Sequence, residues 1–139
     1  MSGPDLVSDP APGEWRLALR VGAMPADTNA YGDIFGGWLM SQVDIAGSTV
    51  AIQAAGGRVA TVAVNELRFL APVMVGDLVE LYARLARQGN TSLGVEVRVW
   101  ARGEPDPGSR RQVATALITY VAMGPDGRPR PVARSTPGP

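Results

Sequence analysis

The sequence predicts an α+β domain in which one long helix is wrapped by a curved antiparallel sheet of about five strands. Three observations predict it. The segment Ile34 to Ala55 is apolar at helical spacing and has a glycine pair at each end. Further segments alternate apolar and polar residues or run apolar throughout, with turn formers between them. The order is strand, long helix, then four strands. So few strands cover an apolar helix only if the sheet curls around it.

The first strand pattern begins at Glu14. Trp15, Leu17, Leu19 and Val21 alternate with Glu14, Arg16, Ala18 and Arg20, as in a half-buried strand. The loop Met24–Asp33 is rich in turn formers. Leu39, Val43, Ala46, Val50 and Ala54 then recur at helical spacing, with Gly36-Gly37 at the start and Gly56-Gly57 at the end. At 1.5 Å per residue such a helix spans about 30 Å. Four strands follow, over Arg58–Leu70, Asp77–Arg87, Ser92–Ala101 and Arg111–Met123. The last is apolar on both faces, as a central strand is. Gln88-Gly89-Asn90 forms a hairpin turn, and Gly103–Gly108 a looser one. Residues 1–13 and 124–139 are rich in proline and are expected to be disordered tails around a folded body over 14–123.

Composition removes whole classes of chemistry. The 139-residue chain has no histidine and no cysteine. Histidine-based nucleophile systems, thiolate–metal sites and most zinc sites are therefore excluded, and no metal site is expected. Formal net charge is zero, which argues against nucleic acid or an anionic membrane as a partner. All 13 basic residues are arginine, whose planar fork suits phosphate. Codon bias in a GC-rich genome explains the same pattern. The start of the chain lacks a charged-then-apolar signal pattern, and no run of ~18 apolar residues exists. A soluble, cytoplasmic protein is expected.

Asp44 is the one ionisable residue between Ile34 and Gly57. A helix apolar nearly all round is buried, and an ionised carboxylate on it needs partners. Ser48 lies one turn further along the same face. Gly36 and Gly37 sit where backbone N–H groups lack intrahelical acceptors and carry the positive end of the helix dipole. Glycine also lets a ligand approach that backbone closely. Donors aimed at a carbonyl oxygen beside a carboxylate are the minimum equipment for acyl transfer. A partly exposed aspartate bonding a neighbouring loop, preceded by a plain glycine turn, is the competing explanation.

The run Asn29-Ala30-Tyr31-Gly32-Asp33-Ile34-Phe35-Gly36-Gly37, with Asp44 beyond it, resembles the YciA-type acyl-CoA thioesterases of the hotdog-fold superfamily. The likeness continues through Gly57–Asn65, Pro72–Asp77 and Val97–Trp100, and covers nearly all of Met24–Pro131. It implies a hotdog fold and hydrolysis of acyl-CoA to a free acid and coenzyme A. It implies a homodimer with shared active sites, assembled as a trimer of dimers. Asp44 then matches the catalytic carboxylate, as general base or nucleophile. Asn29 matches an amide that positions water or substrate from the other subunit. Gly36 or Gly37 matches the N–H that polarises the thioester, and Ser48 a position where related enzymes use a hydroxyl.

The resemblance also implies coenzyme A contacts from Val62, Ala63, Val64 and Asn65 and from the turn Asn90, Thr91 and Ser92. YciA-like turns carry arginine where this chain has Asn90, so the resemblance leaves one phosphate contact without its usual residue, and Arg87 is the nearby candidate to replace it. Arg128 belongs to a stretch similar to the family's basic tail. No resident cofactor is implied, because coenzyme A is part of the substrate and product. Hotdog dehydratases use a catalytic histidine, which this chain lacks. A non-catalytic module that binds coenzyme A or acyl-CoA is the remaining alternative.

Overall fold

The computed structural model of the chain describes residues 13–103 and 106–132. The proposed tails at 1–12 and 133–139 lie outside the described residues. The elements run β1 (Arg16–Gly22), α1 (Gly36–Ala55), β2 (Val59–Phe69), β3 (Leu78–Gln88), β4 (Ser92–Arg102) and β5 (Arg111–Ala122). The five strands form one antiparallel sheet in the order β1-β3-β4-β5-β2. This is the predicted architecture.

The core lies between α1 and the concave face of the sheet. Leu39, Val43, Ala46 and Ala51 of the helix pack with Val79, Leu81, Val95, Val97, Val99, Val113 and Ile118 of the strands. Each large aliphatic buried this way contributes roughly 1.5–3 kcal/mol. Curvature comes from bulges in the edge strands. Pairing of β2 with β5 shifts register between Thr61 and Ala63 and again between Asn65 and Arg68. Glu66, inside the second shift, takes a left-handed φ of 51°. An extra residue bends its strand and increases its twist, which carries β2 around the helix.

The helix begins at Gly36, at the glycine pair that marks its start in the sequence. Ile34 is held in a bridge to Thr28, and Phe35 is extended at φ −67°, ψ 129°. At the other end Gly56 takes the left-handed conformation at φ 71°, and its N–H and that of Gly57 donate to Ile52 O.

Two expectations differ from the structure. The sheet covers only one face of α1. Ile45 and Ile52 on the other face remain 51% and 46% exposed, because five strands curl around one side of a helix and no further. The stretch 124–132, read from its prolines as flexible tail, is folded. Pro129 bridges to Met123, Arg130 N donates to Ala122 O, and Val132 is 7% exposed in a small cluster with Ala55, Leu93 and Ala122. Its apolar anchor is a single valine, too weak a signal among prolines and glycines.

Candidate active site

Asp44 sits on the sheet-facing side of α1, next to buried Val43 and two and three residues before buried Ala46 and Gly47. It is half-buried. Two hydroxyls from the sheet reach it. Thr61 Oγ1, on β2, donates to Asp44 Oδ1 at 2.8 Å. Tyr120 OH, on β5, lies 3.1 Å from the same oxygen and 3.0 Å from the Asp44 main-chain carbonyl oxygen. Donors of this kind are what a carboxylate on an apolar helix needs. Burial, then the Asp44 charge and hydrogen bond, push the Tyr120 phenol well above the ordinary tyrosine range. Tyr120 is therefore a neutral donor at physiological pH.

Asp44 opens onto a cavity of about 290 Å³ lined by Gly37, Met40, Ser41, Val43, Thr61, Val64 and Ile118. The lining is mostly apolar, with the carboxylate as its charged group. Gly37 comes from the first turn of α1, where no side chain caps the helix. Its N–H belongs to the turn that helix geometry leaves without an internal acceptor. Gly36 lies in a neighbouring cavity of about 400 Å³ with Ile34, Leu39, Phe69 and Val73. The structure thus groups Asp44 with Gly37 and puts Gly36 beside the next hollow.

Asn29 and Ser48 do not join Asp44 within one chain. Ser48 Oγ turns back to donate to Ile45 O at 2.7 Å, a local bond common to hydroxyls in helices. Asn29 lies in the loop before α1. Its side-chain oxygen accepts N–H bonds from Tyr31 at 2.9 Å and Asp33 at 3.2 Å.

The residues expected to meet coenzyme A fall on β2 and at one end of the sheet. Val64 lines the Asp44 cavity, and Val62 is exposed. Ala63 lies between them on β2, and Asn65 Oδ1 accepts from Thr119 Oγ1 at 3.4 Å. The turn holding Asn90, Thr91 and Ser92 is closed by a Gly89 N to Ser92 O bond. It is tied to the tail by Val132 N to Asn90 O at 2.7 Å, and to β5 by Ala122 N to Thr91 O at 2.9 Å. Arg128 lies in the tail turn, where its N–H donates to Asp126 Oδ1. Arg87 packs across the hairpin against Gly94. Among the described residues no group of three or more acidic side chains is placed to hold a metal.

Sequence reasoning missed Thr61, Tyr120 and Gly47. A signal for Tyr120 existed, since a phenol in a strand read as apolar on both faces needs an acceptor and the helix offers one lone acid. Thr61 carried no signal, because threonine is ordinary in a strand.

The curved five-stranded sheet on one long helix is the hotdog fold. The Thioesterase superfamily profile matches residues 31–107, and the chain belongs to that superfamily. It is 54% identical over 119 residues to acyl-CoA thioester hydrolase YciA of Salmonella typhimurium, covering 84% of this chain and 89% of that one. It is 53% identical over 117 residues to YciA of Escherichia coli, covering 82% and 88%. Among solved structures it is similar to HI0827, a hexameric broad specificity acyl-coenzyme A thioesterase, in its Asp44Ala mutant form. That match has a TM-score of 0.82 and 42% identity, over 87% of this chain and 88% of the other. The hexameric thioesterase y2039 of Yersinia pestis gives a TM-score of 0.80 and 48% identity, over 88% and 98%. The resemblance to YciA-type enzymes and the hotdog architecture are both shown. Among the described residues no helix is long and apolar enough to cross a membrane.

Proposed function

We propose that this protein hydrolyses acyl-coenzyme A to a carboxylic acid and free coenzyme A, with Asp44 as the working carboxylate. The observation that carries the reading is the carboxylate opening into an apolar cavity that also holds Gly37 of the uncapped helix start. The acyl group lies among Met40, Val64 and Ile118, and its carbonyl oxygen faces the Gly37 N–H. Such a donor contributes about 3 kcal/mol to stabilising the developing oxyanion. Asp44 removes a proton from water as the water oxygen bonds to the carbonyl carbon, a contribution of roughly 10²- to 10⁴-fold. The tetrahedral species collapses, the carbon–sulfur bond breaks, and coenzyme A leaves as a thiolate. A thiolate leaves without strong acid assistance, so a chain without histidine suffices. In the nucleophilic variant of this scheme Asp44 attacks the carbonyl itself and water cleaves the resulting anhydride. That HI0827 has been solved as an Asp44Ala mutant supports a role for an aspartate in this family.

The complete site takes in a second subunit. Ile45 and Ile52 present an apolar helix face, and β2 is an edge strand. An edge strand and an apolar face of this kind fit a second copy of the chain. Asn29, whose side-chain oxygen is fixed by its own loop, is then supplied across the interface to position water or substrate. Val62, Ala63, Val64 and Asn65 line the coenzyme's path, and the turn at Asn90, Thr91 and Ser92, with Arg87 and Arg128, receives its phosphates. A dimer of this kind repeated three times gives a hexamer, the state of HI0827 and y2039.

The test is release of coenzyme A from a panel of acyl-CoAs, run beside Asp44→Ala and Asp44→Asn. Wild-type turnover with loss of at least about 10²-fold in both variants is expected. Retention of more than about a tenth of the rate in Asp44→Ala ends the proposal.

A further inference from the structure

Tyr120 is a buried phenol that hydrolysis as written above does not use. It is 0% exposed, and its hydroxyl stands 3.1 Å from Asp44 Oδ1 and 3.0 Å from the main-chain carbonyl oxygen of the same residue. The hydroxyl's single proton is therefore shared, in one three-centre bond, between the carboxylate and the main chain of one aspartate. Its place depends on Gly47. A Cβ at position 47 would lie 2.5 Å from the Tyr120 hydroxyl oxygen and 3.3 Å from Ile118 Cδ1, so any side chain there claims the hydroxyl's position.

Both features are unfavourable taken alone. Glycine in a helix interior is less stable than alanine. A hydroxyl taken from water costs free energy that phenylalanine of the same shape avoids. A single explanation covers both. Thr61 alone leaves the carboxylate free to rotate about its one bond. A second donor, from a different strand and anchored to the aspartate's own main chain, removes that freedom.

We infer that Tyr120 is a positioning residue for hydrolysis: seated in the slot opened by Gly47, it clamps Asp44 through Oδ1 and the main chain and aims Oδ2 at the reacting water. The inference rests on the reading of Asp44 as the working carboxylate. Tyr120 touches neither water nor substrate in this account. It acts by holding a group that must be placed to within a fraction of an ångström.

The experiment is steady-state kinetics on Tyr120→Phe, Gly47→Ala, their double variant and Asp44→Asn, using the acyl-CoA that the wild type turns over fastest. In Tyr120→Phe, kcat falls roughly 10-fold, the size of a lost hydrogen bond to a charged group, with KM held within about twofold. Gly47→Ala, which keeps the phenol but displaces it, shows a similar loss. The double variant is no slower than either single one, because phenylalanine has no hydroxyl for the new methyl to displace. A merely structural phenol moves the melting temperature and leaves kcat alone, and that result overturns the inference. If Asp44→Asn is inactive while Tyr120→Phe and Gly47→Ala both keep wild-type kcat, the clamp fails and the Asp44 reading stands. Wild-type turnover by Asp44→Asn sinks both. Should Tyr120→Phe not fold, Gly47→Ala decides: lower kcat at constant KM supports the clamp, and unchanged kcat overturns it.

Discussion

Thr61 and Tyr120 face each other across the β2–β5 pairing, and their hydroxyls converge on the same oxygen, Asp44 Oδ1. Cross-strand partners present their side chains on one face of a sheet. A single register therefore brings both donors to the helix. The Thr61 bond is the shorter at 2.8 Å.

Thr61→Val keeps the β-branched shape and removes the donor. It should lower kcat about 10-fold, while Thr61→Ser retains most of the rate. Coenzyme A release assays on the two variants check this. Equal activity in Thr61→Val and wild type would show that this bond is dispensable.

Alkaline pH gives a second reading of the same pocket. The Tyr120 phenol is held above its ordinary value, so the folded protein keeps a proton that the unfolded chain gives up near pH 10. The associated stability is fully present below about pH 10 and is lost as pH rises above it. The difference in melting temperature between wild type and Tyr120→Phe should therefore shift against the wild type between about pH 9 and pH 11. Parallel curves for the two proteins would contradict the assignment.

An ion pair between a buried carboxylate and a partly exposed arginine ties β5 to the residue before β3. Asp77 Oδ2 is 2.6 Å from Arg111 Nη2 and accepts the Met74 N–H at 2.8 Å, and its side chain is only 6% exposed. Arg111 also donates to Pro72 O at 2.8 Å. Arg111→Met leaves the carboxylate without its charge partner and should destabilise by about 3 kcal/mol. Urea unfolding measures it, and a loss below about 1 kcal/mol would place the pair with surface bridges of little weight.

Gly56 ends α1 at φ 71°, and a Cβ there meets nothing within 4 Å. Any cost of Gly56→Ala is thus conformational, at about 1–2 kcal/mol. Differential scanning of the two proteins should show the lower melting temperature in the variant, with kcat unchanged at assay temperature.

The layout was legible in the sequence because its signals are periodic. Val79, Leu81, Ala83 and Val95, Val97, Val99 alternate as strands do, and each is buried. Asp44 was legible as a lone charge on an apolar helix. The apolar outer face of α1 was not, because apolarity does not say whether the cover is the chain's own sheet or another subunit. Ser48 misled through spacing: residues four apart share a helix face, yet the hydroxyl found a nearer acceptor in Ile45 O. Thr61 and Tyr120 lie 17 and 76 residues from Asp44 in the chain, and only the pairing register of β2 with β5 makes them neighbours.

The last described residues bear directly on the helix that carries Asp44. Arg130 Nη2 donates to Ala55 O at 3.0 Å and Nε to Met123 O at 3.2 Å, and Val132 seals Ala55, Leu93 and Ala122. A positive charge there offsets the negative end of the helix. Arg130 and Val132 together are thus a stopper in the base of that helix. A protease that trims back to Met123 uncorks it, and a carboxy-terminal fusion is best attached beyond Val132.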